Sequence, residues 1–210
     1  GPLMVIAGAG SGKTRVLTYR IIHLLKNNVS PFNILSLTFT NKAAKEMRNR
    51  IEMMVGKNIA SSLWMGTFHS VFSRILRIES EKLNYPQNFT IYDTDDSKSL
   101  IRSIIKELGL DKDIYKVSVI LNRISSLKNN FIKAEQYSNY AELVQTDKIA
   151  KRADFERVYR TYVQRCRKAS AMDFDDLLLN TYTLLDNFPD LIIKYQNKFQ
   201  YILIDEYQDT

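Results

Sequence analysis

Leu3-Met4-Val5-Ile6-Ala7-Gly8-Ala9-Gly10-Ser11-Gly12-Lys13-Thr14 is the stretch that decides the fold class. Its first five residues are an apolar run ending in glycines, which reads as a buried strand. From Lys13 the period changes, and Val16, Leu17, Ile21, Leu24 and Leu25 mark one face of a helix. Between strand and helix, Ala7–Thr14 nearly matches the G-x-x-x-x-G-K-[ST] phosphate loop, with Ala7 in place of the first glycine. Gly8, Gly10 and Gly12 permit positive φ, so backbone N–H groups can converge on phosphate oxygens. The helix starting near Lys13 adds its positive dipole end. Lys13 is spaced to reach β- and γ-phosphates, and Thr14 to set its hydroxyl on Mg²⁺. A glycine-rich strand–helix turn without a ligand is the competing reading. The loop alone does not choose among kinase, GTPase, transporter ATPase and helicase.

The alternation continues outward. Ile34–Phe39 reads as a second strand and Asn41–Val55 as a helix with Ala43, Ala44, Met47 and Ile51 on one side. Leu63–Phe68 reads as a third strand feeding a helix that carries Val71, Phe72, Ile75 and Leu76. Strand–helix alternation of this kind predicts an α/β fold with a parallel sheet. The texture changes after Tyr92. Asp93-Thr94-Asp95-Asp96 supplies a helix N-terminus, and Leu100, Ile101, Ile104, Ile105 and Leu108 recur at helical spacing up to Gly109. Val117-Ile120-Leu121-Ile124 and Phe155-Val158-Tyr159-Tyr162 give two further amphipathic helices, with no strand pattern between Thr94 and Met172. The spacing predicts an all-helical insert. A helix through Leu177, Leu178, Thr181, Leu184 and Leu185 then precedes the strand Tyr201–Ile204.

That last strand runs into Asp205-Glu206-Tyr207-Gln208-Asp209-Thr210. A carboxylate at a strand end suits Mg²⁺, and its neighbour Glu206 suits orienting and deprotonating a water. A solvated acidic turn is the bland alternative; the phosphate loop upstream favours the metal and base roles.

Composition narrows the function classes. The chain has 210 residues, enough for one or two domains. Its 45% hydrophobic and 25% charged residues are ordinary for a globular protein. No apolar run approaches the roughly 18 residues of a membrane span, and Gly1-Pro2-Leu3-Met4 lacks a signal peptide's charged start. The single Cys166 excludes an internal disulfide framework and suits a reducing compartment, so a cytoplasmic location is expected. Two histidines and one cysteine, far apart, make no zinc-finger pattern. The net charge of +7 favours polyanionic partners, chiefly nucleic acid.

Together the motifs resemble superfamily 1 DNA helicases of the UvrD/PcrA/Rep group. Ala7–Thr14 is similar to that group's motif I, including its alanine. Leu37-Thr38-Phe39-Thr40-Asn41-Lys42-Ala43-Ala44-Lys45-Glu46-Met47 resembles motif Ia, and Gly66-Thr67-Phe68-His69-Ser70 resembles motif Ib. Met172-Asp173-Phe174-Asp175-Asp176-Leu177-Leu178 is similar to the group's return from its helical insert, and Asp205–Thr210 resembles motif II. The resemblance implies a RecA-like P-loop NTPase domain, 1A, from residues 1–92 and 173–210, with an inserted helical subdomain, 1B, over 93–172. It implies ATP and Mg²⁺ as cofactors. Ala7, Gly8, Ala9, Gly10, Ser11, Gly12, Lys13, Thr14 and Arg15 would form the nucleotide site, and Thr14 and Asp205 would hold the metal. Glu206, Asp205, Lys13 and Gln208 would carry the hydrolytic roles, Gln208 sensing the γ-phosphate region.

By the same resemblance Phe39, Thr40, Asn41, Thr67 and His69 would line a single-stranded DNA track. Physically, Phe39 offers a stacking face, while Thr67 and His69 can hydrogen-bond to phosphate or sugar. Phe39 in the core, His69 as a local cap, and Asn41-Lys42 as a solvated turn stay open as alternatives, as does a surface ion pair for Arg15 in place of a stack on adenine. Lys128-Asn129-Asn130 and Arg165-Cys166-Arg167-Lys168 read as DNA contacts or as solvated helix ends. Asp175 and Asp176 read as helix N-terminal charges and Cys166 as packing.

The implied activity is ATP-dependent 3′→5′ movement on single-stranded DNA with duplex unwinding. The partners would be single-stranded DNA, single-strand/duplex junctions, and repair or replication proteins, with no membrane. The chain stops after motif II, so the expectation is an N-terminal half. It would bind nucleotide and DNA but turn over ATP weakly or not at all without a second motor domain and its arginine fingers. The helicase half of a RecB/AddA-type helicase–nuclease, or a non-catalytic DNA- or partner-binding module, are the alternatives.

Overall fold

A computed structural model describes residues 2–8 and 10–209. In chain order its helices are α1 (Lys13–Lys26), α2 (Asn41–Val55), α3 (Lys57–Ser62), α4 (Phe68–Ile78), α5 (Thr94–Glu107), α6 (Val117–Asn129), α7 (Ala141–Ile149), α8 (Phe155–Lys168), α9 (Phe174–Asn187) and α10 (Pro189–Lys198). Its strands are β1 (Ile34–Thr38), β2 (Trp64–Thr67), β3 (Thr90–Ile91), β4 (Ala171–Met172) and β5 (Tyr201–Ile204). These elements fall into two compact units, Gly1–Phe72 with Asn187–Thr210, and Ser73–Asp186. The period changes read at 92 and 172 fall inside the second unit, whose limits lie further out on both sides. One limit falls within α4, and a helix keeps the same 3.6-residue period on both sides of such a point, so periodicity cannot register it.

The first unit holds a parallel sheet in the order β2-β1-β5. Leu35 pairs with Trp64 through to Thr38 with Thr67 on one side, and Ile34 with Tyr201 through to Leu37 with Ile204 on the other. All five β1 residues are buried, as expected of a central parallel strand covered on both faces. On one face Ile34 packs with Met47 and Ile51 of α2, Ile21, Ile22 and Leu24 of α1, and Met65 of β2. On the other, Trp64 meets Phe199 edge-on, ring centroids 5.2 Å apart, and the Lys198 ammonium lies 4.0 Å from the Trp64 ring centre.

The expected strand at Leu3–Ala7 does not form. Residues 2–8 join no ladder, and Leu3, Met4, Val5 and Ile6 are 61–89% exposed. An apolar run becomes a strand only where a neighbouring strand accepts its N–H and C=O groups, and no described strand is paired with these residues. The helical face of α1 also differs from the expected one. Thr18, Ile21, Ile22 and Leu24 are buried, whereas Val16 is exposed. Its first turn borders the phosphate loop, and only from Thr18 onward does the helix contribute buried side chains.

The second unit is helical apart from the two-residue pairs of β3 with β4, which place a short strand at 171–172 within the stretch read as strand-free. Asp93 and Asp96 form a full capping box at the start of α5, as the acidic cluster predicts. Ile101, Ile104, Ile105, Ile120, Ile124, Leu127, Phe155, Val158, Tyr159 and Tyr162 make its core. Both readings of Lys128 are overturned: it is neither a DNA contact nor solvated. It is 2% exposed, and its ammonium sits 2.7 Å from Asp173 Oδ2 and 2.7 Å from Asp176 Oδ1. Asp173 and Asp176 also cap α9 reciprocally through each other's backbone N–H. Cys166 is buried in the core, and burial pushes its thiol up to about 12, so packing is its role.

Candidate nucleotide and nucleic-acid site

The phosphate loop is closed on itself and on the last strand. Gly10 and Gly12 have φ of +75° and +91°, and Gly12 caps α1 from the left-handed region. Only glycine adopts these angles without strain. The Ser11 N–H and hydroxyl both donate to the Gly8 carbonyl, at 3.3 and 2.6 Å. The Lys13 ammonium donates to the Ala7 carbonyl at 3.2 Å, so it spans the loop from end to start. Ala7, Gly8, Gly10, Ser11, Gly12, Lys13 and Thr14 are therefore brought together; Ala9 lies outside the described residues.

Thr14, in the first turn of α1, donates from Oγ1 to Asp205 Oδ2 at 2.9 Å. Asp205 follows β5, is 6% exposed, and its N–H donates to the Leu37 carbonyl at 2.9 Å, extending the β1–β5 ladder by one step. A hydroxyl and a buried carboxylate are hard oxygen donors of the type Mg²⁺ takes, and Mg²⁺ typically needs only one or two protein ligands beside phosphate and water. Their chemistry and proximity fit that ion. Glu206 follows in the left-handed region, φ +51°, a sparsely populated conformation for a non-glycine residue. The Glu206 carboxylate accepts a hydrogen bond from the Gln208 amide, so these two residues are linked beside Asp205.

Arg15 and Tyr19 sit one turn apart on the exposed side of α1, with the guanidinium carbon 5.7 Å from the ring centre. With Gly10, Ser11, Gly12 and Val16 they line a depression of about 500 Å³. Arg15 makes no ion pair among the described residues, so its surface-pair reading falls away. Tyr19 escaped the sequence reading; its signal was the i, i+4 spacing from Arg15.

The second group of predicted residues gathers at the same edge of the sheet. Thr38 and Thr67 are paired across β1 and β2, so the segments after both strands leave side by side. Ligands of parallel α/β sheets bind at such carboxyl ends. Phe39 is 57% exposed, which excludes a core role. The Thr40 hydroxyl caps α2 by accepting from the Ala43 N–H at 3.1 Å, and Asn41 is the first residue of that helix. The Thr67 hydroxyl accepts from the Ser70 N–H at 3.3 Å, at the start of α4, and His69 is half-buried in that first turn. A capping hydroxyl spends a lone pair and keeps its own proton to donate. Two helix N-termini thus open at this edge, a geometry that attracts anions. A Cβ at Gly66 would meet Ser70 Oγ at 2.3 Å, so a side chain there would turn that hydroxyl out of its bond to the Thr67 carbonyl.

The loop is locked to an acidic strand end, beside an exposed Thr40 and a Thr67 that is 8% exposed. The family model for the UvrD/REP helicase N-terminal domain matches residues 1–210. The chain is 45% identical over 211 residues to the ATP-dependent DNA helicase PcrA of Staphylococcus epidermidis, 43% identical over 216 residues to that of Staphylococcus aureus, and 42% identical over 211 residues to that of Leuconostoc citreum. Each match covers 100% of this chain but only 27–28% of the relative, so the chain spans little more than a quarter of their length. With its motifs in order and its whole length matched, the chain belongs to the UvrD/REP helicase N-terminal domain family.

Proposed function

We propose that this chain is the nucleotide-binding and DNA-binding part of an ATP-dependent DNA helicase that moves 3′→5′ on single-stranded DNA and unwinds duplex. The reading rests above all on the Thr14–Asp205 hydrogen bond, which ties the phosphate loop to the acidic strand end. In it, the loop N–H groups and Lys13 bind the phosphates of ATP, while Thr14 and Asp205 hold Mg²⁺. When bound, that ion offsets the charge that builds on phosphoryl oxygens. Glu206 orients the attacking water and takes its proton, and Gln208, bonded to Glu206, faces the γ-phosphate region. Arg15 and Tyr19 hold the base end of the nucleotide.

Phe39, Thr40, Asn41, Thr67 and His69 bind the strand, by stacking from Phe39 and by donation to phosphate from the capping hydroxyls. Net charge, +7, suits that partner. Junction DNA, a second motor domain, and repair or replication proteins complete the proposed assembly, in the cytoplasm. In that assembly the second motor domain supplies arginine fingers, worth about 10³–10⁵ in phosphoryl transfer, and the chain alone hydrolyses ATP weakly.

Two titrations test this. Mg²⁺–ATP should raise the unfolding temperature of the chain, and single-stranded oligonucleotide should bind with affinity that falls steeply between 50 and 200 mM salt, as backbone recognition requires. No stabilisation by Mg²⁺–ATP would sink the nucleotide assignment; salt-insensitive DNA binding would sink the strand assignment.

A further inference from the structure

Thr38 ends β1 with 1% of its surface exposed, and its hydroxyl finds no hydrogen-bond partner among the described residues. Buried hydroxyls are nearly always paired, so an orphan asks for an explanation. Register locates it. Ile34 packs against Met47 of α2, and Ser36 donates to the Met47 sulfur at 3.5 Å. The two-residue period of a strand therefore sets Thr38 on that same face of the sheet.

In β5, Tyr201 and Leu203 pack into the same cluster, opposite Ile34 and Ser36. One further step along both strands brings Asp205 beside Thr38 on that face, where Thr14 reaches the Asp205 carboxylate. Neighbouring strands lie roughly 4.8 Å apart. No hydrogen bond joins the two side chains, so the Thr38 hydroxyl keeps its proton free to donate at that end of the sheet.

We propose, building on the Mg²⁺–nucleotide reading of the loop, that Thr38 is a positioning residue of that site: its hydroxyl holds a water of the hydrated Mg²⁺ against the Asp205 carboxylate. Mg²⁺ dehydrates reluctantly and keeps several waters when protein-bound, so a partner for such a water is a natural use for a buried hydroxyl beside a metal-binding carboxylate. The loop motif does not include Thr38, and its place within an apolar strand conceals it in the sequence.

The test compares Thr38→Val, which keeps the shape and deletes the hydroxyl, with Thr38→Ser, which keeps the hydroxyl. Unfolding temperature is titrated with the non-hydrolysable analogue AMP-PNP, once with Mg²⁺ and once with EDTA. Without ligand, Thr38→Val should melt at or above wild type, since it breaks no existing bond. With Mg²⁺ its apparent Kd should rise about tenfold, the worth of one hydrogen bond near a charge. With EDTA its Kd should match wild type, and Thr38→Ser should bind as wild type in both.

Three results overturn the assignment: a wild-type Kd for Thr38→Val with Mg²⁺, an equal loss with and without metal, or a lowered melting temperature without ligand. If wild type itself gains nothing from Mg²⁺–AMP-PNP, the nucleotide reading falls and this role with it.

Discussion

Thr14 and Asp205, 191 positions apart, are joined by a 2.9 Å hydrogen bond between hydroxyl and carboxylate. The bond fastens the first turn of α1 to the end of β5 on the face that α1 and α2 cover. Removing it should cost both stability and metal-dependent binding. Thr14→Val should lose about 1.5–3 kcal/mol in urea unfolding, the range for a hydrogen bond to a charged group. Asp205→Asn should lose less, because an amide oxygen still accepts. In a double-mutant cycle the two changes should couple by about 1 kcal/mol or more. Additive losses would mean that the bond contributes nothing.

Lys13 presents a separable function. Its ammonium donates to the Ala7 carbonyl inside the loop and makes no other hydrogen bond or ion pair among the described residues. Lys13→Ala should therefore unfold within about 1 kcal/mol of wild type. It should lose the stabilisation that Mg²⁺–ATP gives, and bind single-stranded DNA within about twofold of wild type, since the proposed strand contacts do not involve it. Thermal shift and fluorescence anisotropy measure the two. A parallel loss of DNA affinity would show that the loop and the strand-binding edge are not independent.

Phe39 carries the sharpest distinction between packing and recognition. Deleting a buried phenylalanine ring costs about 3–5 kcal/mol, whereas deleting an exposed one costs little. At 57% exposure, Phe39→Ala should leave unfolding within about 1 kcal/mol of wild type. It should weaken single-stranded DNA binding by about 1–3 kcal/mol, the value of one base stacked on an aromatic ring. A destabilised variant with unchanged DNA affinity would return the ring to a structural role.

Legibility followed physical range. The loop and the α2 and α5 starts are readable because each is set by neighbours within about four residues: glycines at positive φ, Thr40 capping Ala43, the Asp93–Asp96 box; the apolar runs at 34–38 and 64–67 read as strands and do find partners in the sheet. Leu3–Ala7 misread as a strand because an apolar run carries no information about whether a neighbour exists to pair with it. Lys128 misread for the opposite reason. Its partners, Asp173 and Asp176, lie more than forty positions away, and a lysine beside two asparagines looks solvated until the fold closes over it. Likewise Thr38 is an ordinary strand residue in sequence, and only register sets it beside Asp205.

The Lys128 cluster yields a pH prediction whose sign differs between its two carboxylates. Burial alone would lower the pKa of Lys128, but Asp176 and Asp173 outweigh it and hold the ammonium protonated above its usual range. Burial raises Asp176 to about 6, with Lys128 opposing and Asp173 reinforcing the shift. For Asp173 the same burial is overcome by Lys128, which holds its carboxyl below the usual range. A carboxyl whose folded pKa is raised contributes stability that is complete below about pH 4 and is lost as pH rises through about 6. Asp173, shifted down, contributes stability above about pH 4 that is lost as pH falls further. Asp176→Asn mimics the protonated form, so its stability relative to wild type should improve from pH 5 to pH 7. Lys128→Met strands two buried carboxylates and should cost about 3–5 kcal/mol at pH 7, less at pH 5 where they can take up protons. Urea unfolding followed by circular dichroism at pH 5, 6 and 7 reads both; a wild-type to Asp176→Asn difference that stays flat across that range would refute the raised carboxyl.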